Sequence, residues 1–229
     1  MPTSALSQIG GWADVGIGPY GAPNPDLRRN TMQVYMMNKP KGYLTARSDR
    51  NRPTVMELLP PELQALHPVG RLDMDTEGLL LLTDDGMLDR RLLRPEHHVE
   101  KLYFFRAFGR LEQEAFDRMA RGVLLEGTEV LSRPARAWLS GYSTIGDCEA
   151  LLPPKKHNHL MKNPHRPVTE GYLALCEGRK HQVKLMVKAV GGHVFALKRL
   201  SIGALRLDEA LMPGAFRPLT AAEIALLSE

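Results

Sequence analysis

The most chemically loaded part of the chain is a charged loop that runs straight into an apolar segment. Gly70-Arg71-Leu72-Asp73-Met74-Asp75-Thr76-Glu77-Gly78 leads into Leu79-Leu80-Leu81-Leu82-Thr83 and is closed by Asp84-Asp85-Gly86. A carboxylate at the mouth of a buried strand is held by a rigid element and can be aimed, which both general acid–base and nucleophilic work require. Asp73 occupies that place, with Arg71 two residues before it. The same pattern also describes a turn whose aspartates cap backbone amides, and spacing alone does not separate the two.

Two further stretches hold reactive types. Glu177-Gly178-Arg179-Lys180-His181-Gln182-Val183-Lys184 opens a helical pattern in which Lys180, Lys184 and Lys188 recur every four residues. Such a stripe is a solvated charged face, a phosphate-binding row or a partner for a buried carboxylate. In Lys101-Leu102-Tyr103-Phe104-Phe105, Tyr103 is either core or a ring on which an extruded nucleobase can stack. Histidines cluster at His97-His98 and at His157, His159 and His165, without the cysteines or carboxylates that would complete a metal site, so none is expected. Asp73-Met74-Asp75-Thr76 superficially resembles the DxDxT motif of haloacid-dehalogenase-type phosphatases. There the threonine falls one position later and an apolar strand precedes the motif, so the match is poor.

These groups need elements to position them. Gln33–Met37 reads as a strand and Asn38–Gly42 as a turn. Pro53–Leu59 and Met87–Leu93 read as short helices, Leu79–Thr83 as a buried strand and Lys101–Phe108 as another. Glu112–Arg121 is an amphipathic helix that Gly122 stops; Val123–Leu125 and Arg133–Leu139 are strand candidates. Gly171–Cys176 and His193–Leu197 flank a helix at Lys180–Val190, and Thr220 caps a last one reaching Ser228. Strands and helices mix without strict alternation, which predicts an α+β fold with a largely antiparallel mixed sheet and flanking helices.

Residues 1–31, rich in Gly, Pro, Ser and Asn, read as a poorly ordered tail, and residues 32–229 as one domain. Residues 141–169 have no periodicity and carry Lys155, Lys156, Lys162 and Arg166 with no acid between Pro153 and Val168, which predicts a long basic insertion loop. Net charge is +4 and the two cysteines form no framework, which fits a reducing, cytoplasmic setting. No apolar run approaches the roughly 20 residues of a membrane span.

Taken together, the motifs resemble those of the pseudouridine synthases, specifically the branch that modifies small-subunit ribosomal RNA (the RsuA-like branch). Met37-Asn38-Lys39-Pro40-Lys41-Gly42-Tyr43 is similar to that branch's opening motif, and Gly70–Gly86 to its catalytic one. His97–Tyr103 is similar to the next, Glu177–Lys184 and Gly191–Gly203 to the last, and Pro213–Thr220 to the closing strand. The resemblance covers residues 33–227 outside the insertion, and four motifs in order make chance an inadequate explanation.

The resemblance implies an isomerase that turns uridine in structured RNA into pseudouridine and needs no metal or cofactor. It implies Asp73 as the catalytic carboxylate, attacking the sugar or removing its 2′ proton. It also implies that Asp73 works ionised in a dry pocket, with Lys184 as its ion-pair partner. Tyr103 would pack on the base and Leu197 would line the pocket, while Arg71 would help fill the gap left by the flipped base. Arg179, His181, Gln182 and Lys39 are further substrate-binding candidates. The implied partner is RNA, ribosomal or in a pre-ribosomal particle, bound by a monomer. Large-subunit RNA is the alternative target, and a non-catalytic RNA-binding assembly factor the alternative function. Members of this branch usually begin with a small RNA-binding module, for which the first 31 residues are too short. The 141–169 insertion is therefore expected to supply phosphate contacts.

Overall fold

The computed structural model describes residues 33–227; the expected tail at 1–31 lies outside them. From the N-terminal side the elements are β1 (Val34–Lys39), 3-10 turns at Val55–Leu58 and Pro61–Leu63, β2 (His67–Val69), β3 (Glu77–Thr83) and α1 (Gly86–Leu93). There follow β4 (Lys101–Phe108), α2 (Gln113–Arg121), β5 (Arg136–Thr144), α3 (His157–Leu160), β6 (Pro167–Leu175) and α4 (Gln182–Ala189). The chain closes with β7 (His193–Ile202), β8 (Leu205–Arg206), β9 (Phe216–Pro218) and α5 (Ala221–Leu226). Among the described residues no helix is long and apolar enough to cross a membrane.

All nine strands join one sheet, ordered β5-β6-β4-β7-β3-β1-β9, with β2 beside β3 and β8 beside β7. Its pairs are antiparallel except β3 with β7, which run parallel through Glu77↔Lys198 and Gly78↔Arg199. The α+β, largely antiparallel mixed sheet is thus as expected. The parallel pair is the seam between two half-sheets. A Cβ on Gly78 would meet the Arg199 carbonyl oxygen at 2.2 Å, and its φ is +104°, so only glycine lets the backbones meet there.

Two half-cores explain the strand sequences. α2 and α4 cover one face of β5-β6-β4-β7, where Phe105, Phe116, Leu173, Met186 and Val187 are buried. Burying a ring such as Phe116 contributes about 2–3 kcal/mol. β3 is covered on both faces: Leu80 and Leu82 pack with Tyr35, Met37 and the 3-10 turns, and Leu79 and Leu81 with α1. A strand buried on both faces needs no polar alternation, hence four consecutive leucines.

The structure differs from the sequence reading in four places. The short helix expected at Pro53–Leu59 is of the 3-10 kind and spans only Val55–Leu58, β7 runs on to Ile202, and Val123–Leu125 contributes only a Leu124↔Leu131 bridge. Residues 141–169 are not one loop. β5 continues to Thr144 and pairs with Pro167 of β6. The 145–166 cap between them closes over Ile145, Cys148, Leu152 and Leu160. Short 3-10 turns at Glu149–Leu151 and Pro154–Lys156 build that cap, and turns of this length present no regular apolar period to read.

Candidate active site

The loop 70–76 is fastened from below before any of its side chains acts. Lys39, fully buried at the end of β1, donates from Nζ to the carbonyls of Pro40, Asp73 and Thr76 at 3.0, 3.1 and 2.9 Å. Thr45 Oγ1 donates to the Leu72 carbonyl and accepts from its amide, and Gly42 N donates to the Met74 carbonyl at 2.7 Å. Leu72 anchors the loop in the apolar cluster beneath. Burial lowers the Lys39 pKa to about 8, against the opposing pull of the Asp75, Glu77 and Asp73 carboxylates.

On this base, Asp73 turns its carboxylate toward α4. Lys184 Nζ donates to Asp73 Oδ2 at 2.8 Å and to Asp75 Oδ1 at 2.5 Å. His181 Nε2 lies 3.5 Å from Asp73 Oδ1. His181 has a left-handed backbone (φ +55°) as the residue preceding α4, which delivers its ring beside the carboxylate. Burial acts to lower the Lys184 pKa, but its hydrogen bonds with Asp73 and Asp75 outweigh that and raise it. For Asp75, burial acts to raise the pKa and the Lys184 bond outweighs it, leaving the carboxyl below its ordinary value. The expected dry pocket is only half met: the Asp73 side chain is 29% exposed and that of Lys184 23%.

Tyr103 and Leu197 form the apolar side. Leu197, buried on β7, packs in the cluster under α4. Tyr103, half-buried on β4, touches that cluster and also the one that holds Leu72. It therefore spans the ground between the lysine-bearing helix and the aspartate-bearing loop. Arg71 is exposed on the loop.

Three candidate ligand-binding residues are committed elsewhere. Arg179 pairs with Glu177 at 3.2 Å and donates to the carbonyls of Val130 and Leu131. Gln182 is buried, bonded through Nε2 to Glu177 and through Oε1 to the Arg179 amide. With the Arg133 amide also on Glu177, these groups clasp the start of α4 to the 130–133 segment. Lys39 holds backbone and has no exposed surface. The lysine stripe is divided too, since Lys184 serves the aspartates and Lys188 pairs with Glu126. Conversely, Asp75 was not singled out in the sequence, although its place two residues after Asp73 was the available signal. Among the described residues no cluster of His, Cys, Asp or Glu is arranged to hold a metal ion.

A carboxylate paired to a lysine beside a half-buried tyrosine, on a loop at a sheet seam, can be compared with known proteins. Residues 33–189 match the family model described as RNA pseudouridylate synthase. The chain is 43% identical over 196 residues to an uncharacterized RNA pseudouridine synthase, YtzG, of Bacillus subtilis (strain 168), covering 85% of this chain and 72% of that protein. It is 37% identical over 203 residues to ribosomal small subunit pseudouridine synthase A of Escherichia coli (strain K12), covering 88% and 77%. A solved pseudouridylate synthase structure superposes with a TM-score of 0.71 at 35% identity, over 87% of this chain and 75% of that one. With motifs, fold and these matches in agreement, the chain belongs to the RNA pseudouridine synthase family, in its RsuA-like branch.

Proposed function

We propose that Asp73 is the catalytic carboxylate of this synthase and that its target is a uridine of ribosomal RNA, in the small subunit. The reaction breaks the N1–C1′ bond, turns the uracil and forms C5–C1′, with the C5 proton leaving at the end; nothing is oxidised or hydrolysed. A carboxylate contributes either by attacking the sugar or by removing its 2′ proton, and both roles require the anion. The supporting observation is the Lys184–Asp73 contact of 2.8 Å, made between groups 111 residues apart in sequence. A fixed cation at that distance favours the anionic form of a carboxylate. Tyr103 and Leu197 then offer the extruded base an apolar wall, and the base replaces the water that now reaches Asp73. The small-subunit assignment rests on similarity to small subunit pseudouridine synthase A.

Pseudouridine mapping of total RNA, from cells with and without the protein, tests this reading. One or a few small-subunit positions should vanish with the protein. They should return with the wild-type chain and not with Asp73→Asn. Sites in the large subunit would overturn the subunit assignment, and restoration by Asp73→Asn would overturn the role of Asp73.

A further inference from the structure

We propose that the uncovered face of the β5-β6-β4-β7 half-sheet, walled by the 145–166 cap, is a docking surface for unpaired RNA apart from the catalytic cleft. This rests on the reading of the protein as an enzyme of RNA. α2 and α4 pack on one face only. On the other face, the strand registers place Trp138, Tyr172, Phe104 and Lys198 side by side in one row across four strands. The Trp138 and Tyr172 rings stack at 5.2 Å and 19°, and Tyr172 meets Phe104 at 5.1 Å and 54°. Trp138, on the edge strand β5, is 37% exposed. Arg106 lies 4.9 Å over Phe104 and Arg136 5.9 Å over Trp138, but they are paired with Glu170 and Glu100. Apart from Lys198 at the inner end of the row, the face therefore offers ring area rather than net charge.

The charge comes from the cap. Lys155, Lys156, Lys162 and Arg166 are exposed, and among the described residues none of them makes an ion pair. They are carried on an ordered body, since the apolar interior of the cap also packs against Phe108 and Phe195. Phe104, Arg106 and Phe108 are alternate residues of β4 and so share a face, which puts cap and aromatic row on the same side of the sheet. A polar chain joins them: Cys148 contacts Ser143, Ser143 donates to Glu170 at 3.0 Å, and Arg106 donates to the same oxygen at 2.7 Å. Unpaired cations beside stacked, part-exposed rings suit a single strand, whose phosphates meet the cations while its bases stack on the rings. An acidic protein would use the cations but not the rings.

Full-length wild type, Trp138→Ala, and a variant with Lys155, Lys156, Lys162 and Arg166 all changed to Gln are titrated with a fluorescent ribosomal RNA fragment containing the mapped uridine. The titration is repeated across salt concentrations, and melting curves check the fold. The four-residue variant should bind on the order of 100-fold more weakly at 0.1 M salt, with the slope of log K against log salt shallower by roughly three. Trp138→Ala should bind roughly tenfold more weakly at an unchanged slope. A weakened four-residue variant with Trp138→Ala at wild-type affinity would show phosphate contacts at the cap without stacking on the rings, and would overturn the aromatic row as part of the docking surface. Wild-type affinity and slope in both variants, with pseudouridine still formed by the wild type, would overturn the docking surface and leave the enzyme reading standing. Absence of pseudouridine formation by the wild type would count against that reading, while the binding comparison would still decide the surface.

Discussion

The surroundings of the 70–76 loop and the 145–166 cap are both rich in cations, and they use them in opposite ways. Around the loop three lysines are answered: Lys184 by two carboxylates, Lys39 by three carbonyls, Lys41 by Glu77 at 3.7 Å. In the cap Lys155, Lys156, Lys162 and Arg166 have no carboxylate among the described residues. An answered cation holds geometry and cannot be withdrawn without orphaning its partner; an unanswered one is solvated and gains from meeting an anion in solution. Near the loop, charge positions the chain's own groups. On the cap, charge is available to something else.

The largest break in this comparison comes from the loop's one chemical group. Asp73→Asn keeps shape and removes the anion, and should lower single-turnover pseudouridine formation by about 10^4-fold or more, with RNA affinity nearly intact. Gly78→Ala attacks the support instead of the charge. Its Cβ would meet the Arg199 backbone at 2.2 Å, with no flexible side chain to give way, and should cost about 3 kcal/mol in chemical denaturation.

Lys184→Met removes the answer but not the question. Two carboxylates then lack the cation they share. Turnover should fall on the order of 100-fold. Lys184→Arg should rescue most of it, which a merely structural role for the lysine would not produce.

Lys39→Met should cost roughly 2 kcal/mol, because three carbonyls, that of Thr76 buried and those of Pro40 and Asp73 part-buried, lose their donor while the volume is kept. Its distinguishing mark is a pH dependence. The folded-state pKa of Lys39 is about 8, below the ordinary 10.5, so between these values the unfolded chain holds the extra proton. Stability from this group therefore rises as pH climbs from about 8 toward 10.5. Urea titrations across that window should show the rise in wild type and its absence in Lys39→Met.

How far the sequence carried depends on what kind of partner a residue has. Lys101–Phe108 was legible to the residue, because a run this rich in aromatic types, closed by Gly109, has few other uses. Asp73 stood out because it lies where a polar loop enters an apolar strand, whereas Lys184 was one of a stripe of lysines that only the family resemblance singled out. Arg179, Gln182 and Lys39 had the right types for binding a ligand. Their commitments, to Glu177, to the 130–131 carbonyls and to the loop backbone, are made by atoms that have no sequence signature. The cap was hidden for a related reason. Its apolar residues Ile145, Cys148, Leu152 and Leu160 sit on short turns, so their burial leaves no period of 2 or 3.6 to detect.

The smallest effect discriminates most finely between answered and unanswered charge. Lys188 and Lys155 are both exposed, but Lys188 is paired with Glu126 and Lys155 makes no ion pair among the described residues. Replacing either by Ala should change stability by no more than about 0.5 kcal/mol, since exposed ion pairs contribute little. Melting curves should therefore not tell them apart. The salt dependence of RNA binding should, because a lysine that neutralises a phosphate releases a counterion and one that neutralises a carboxylate of its own chain does not. Lys155→Ala should lower the slope by about one and Lys188→Ala should leave it where it was. Equal slopes in the two variants would mean that pairing in the free protein does not sort these cations, and the contrast between loop and cap would lose its basis.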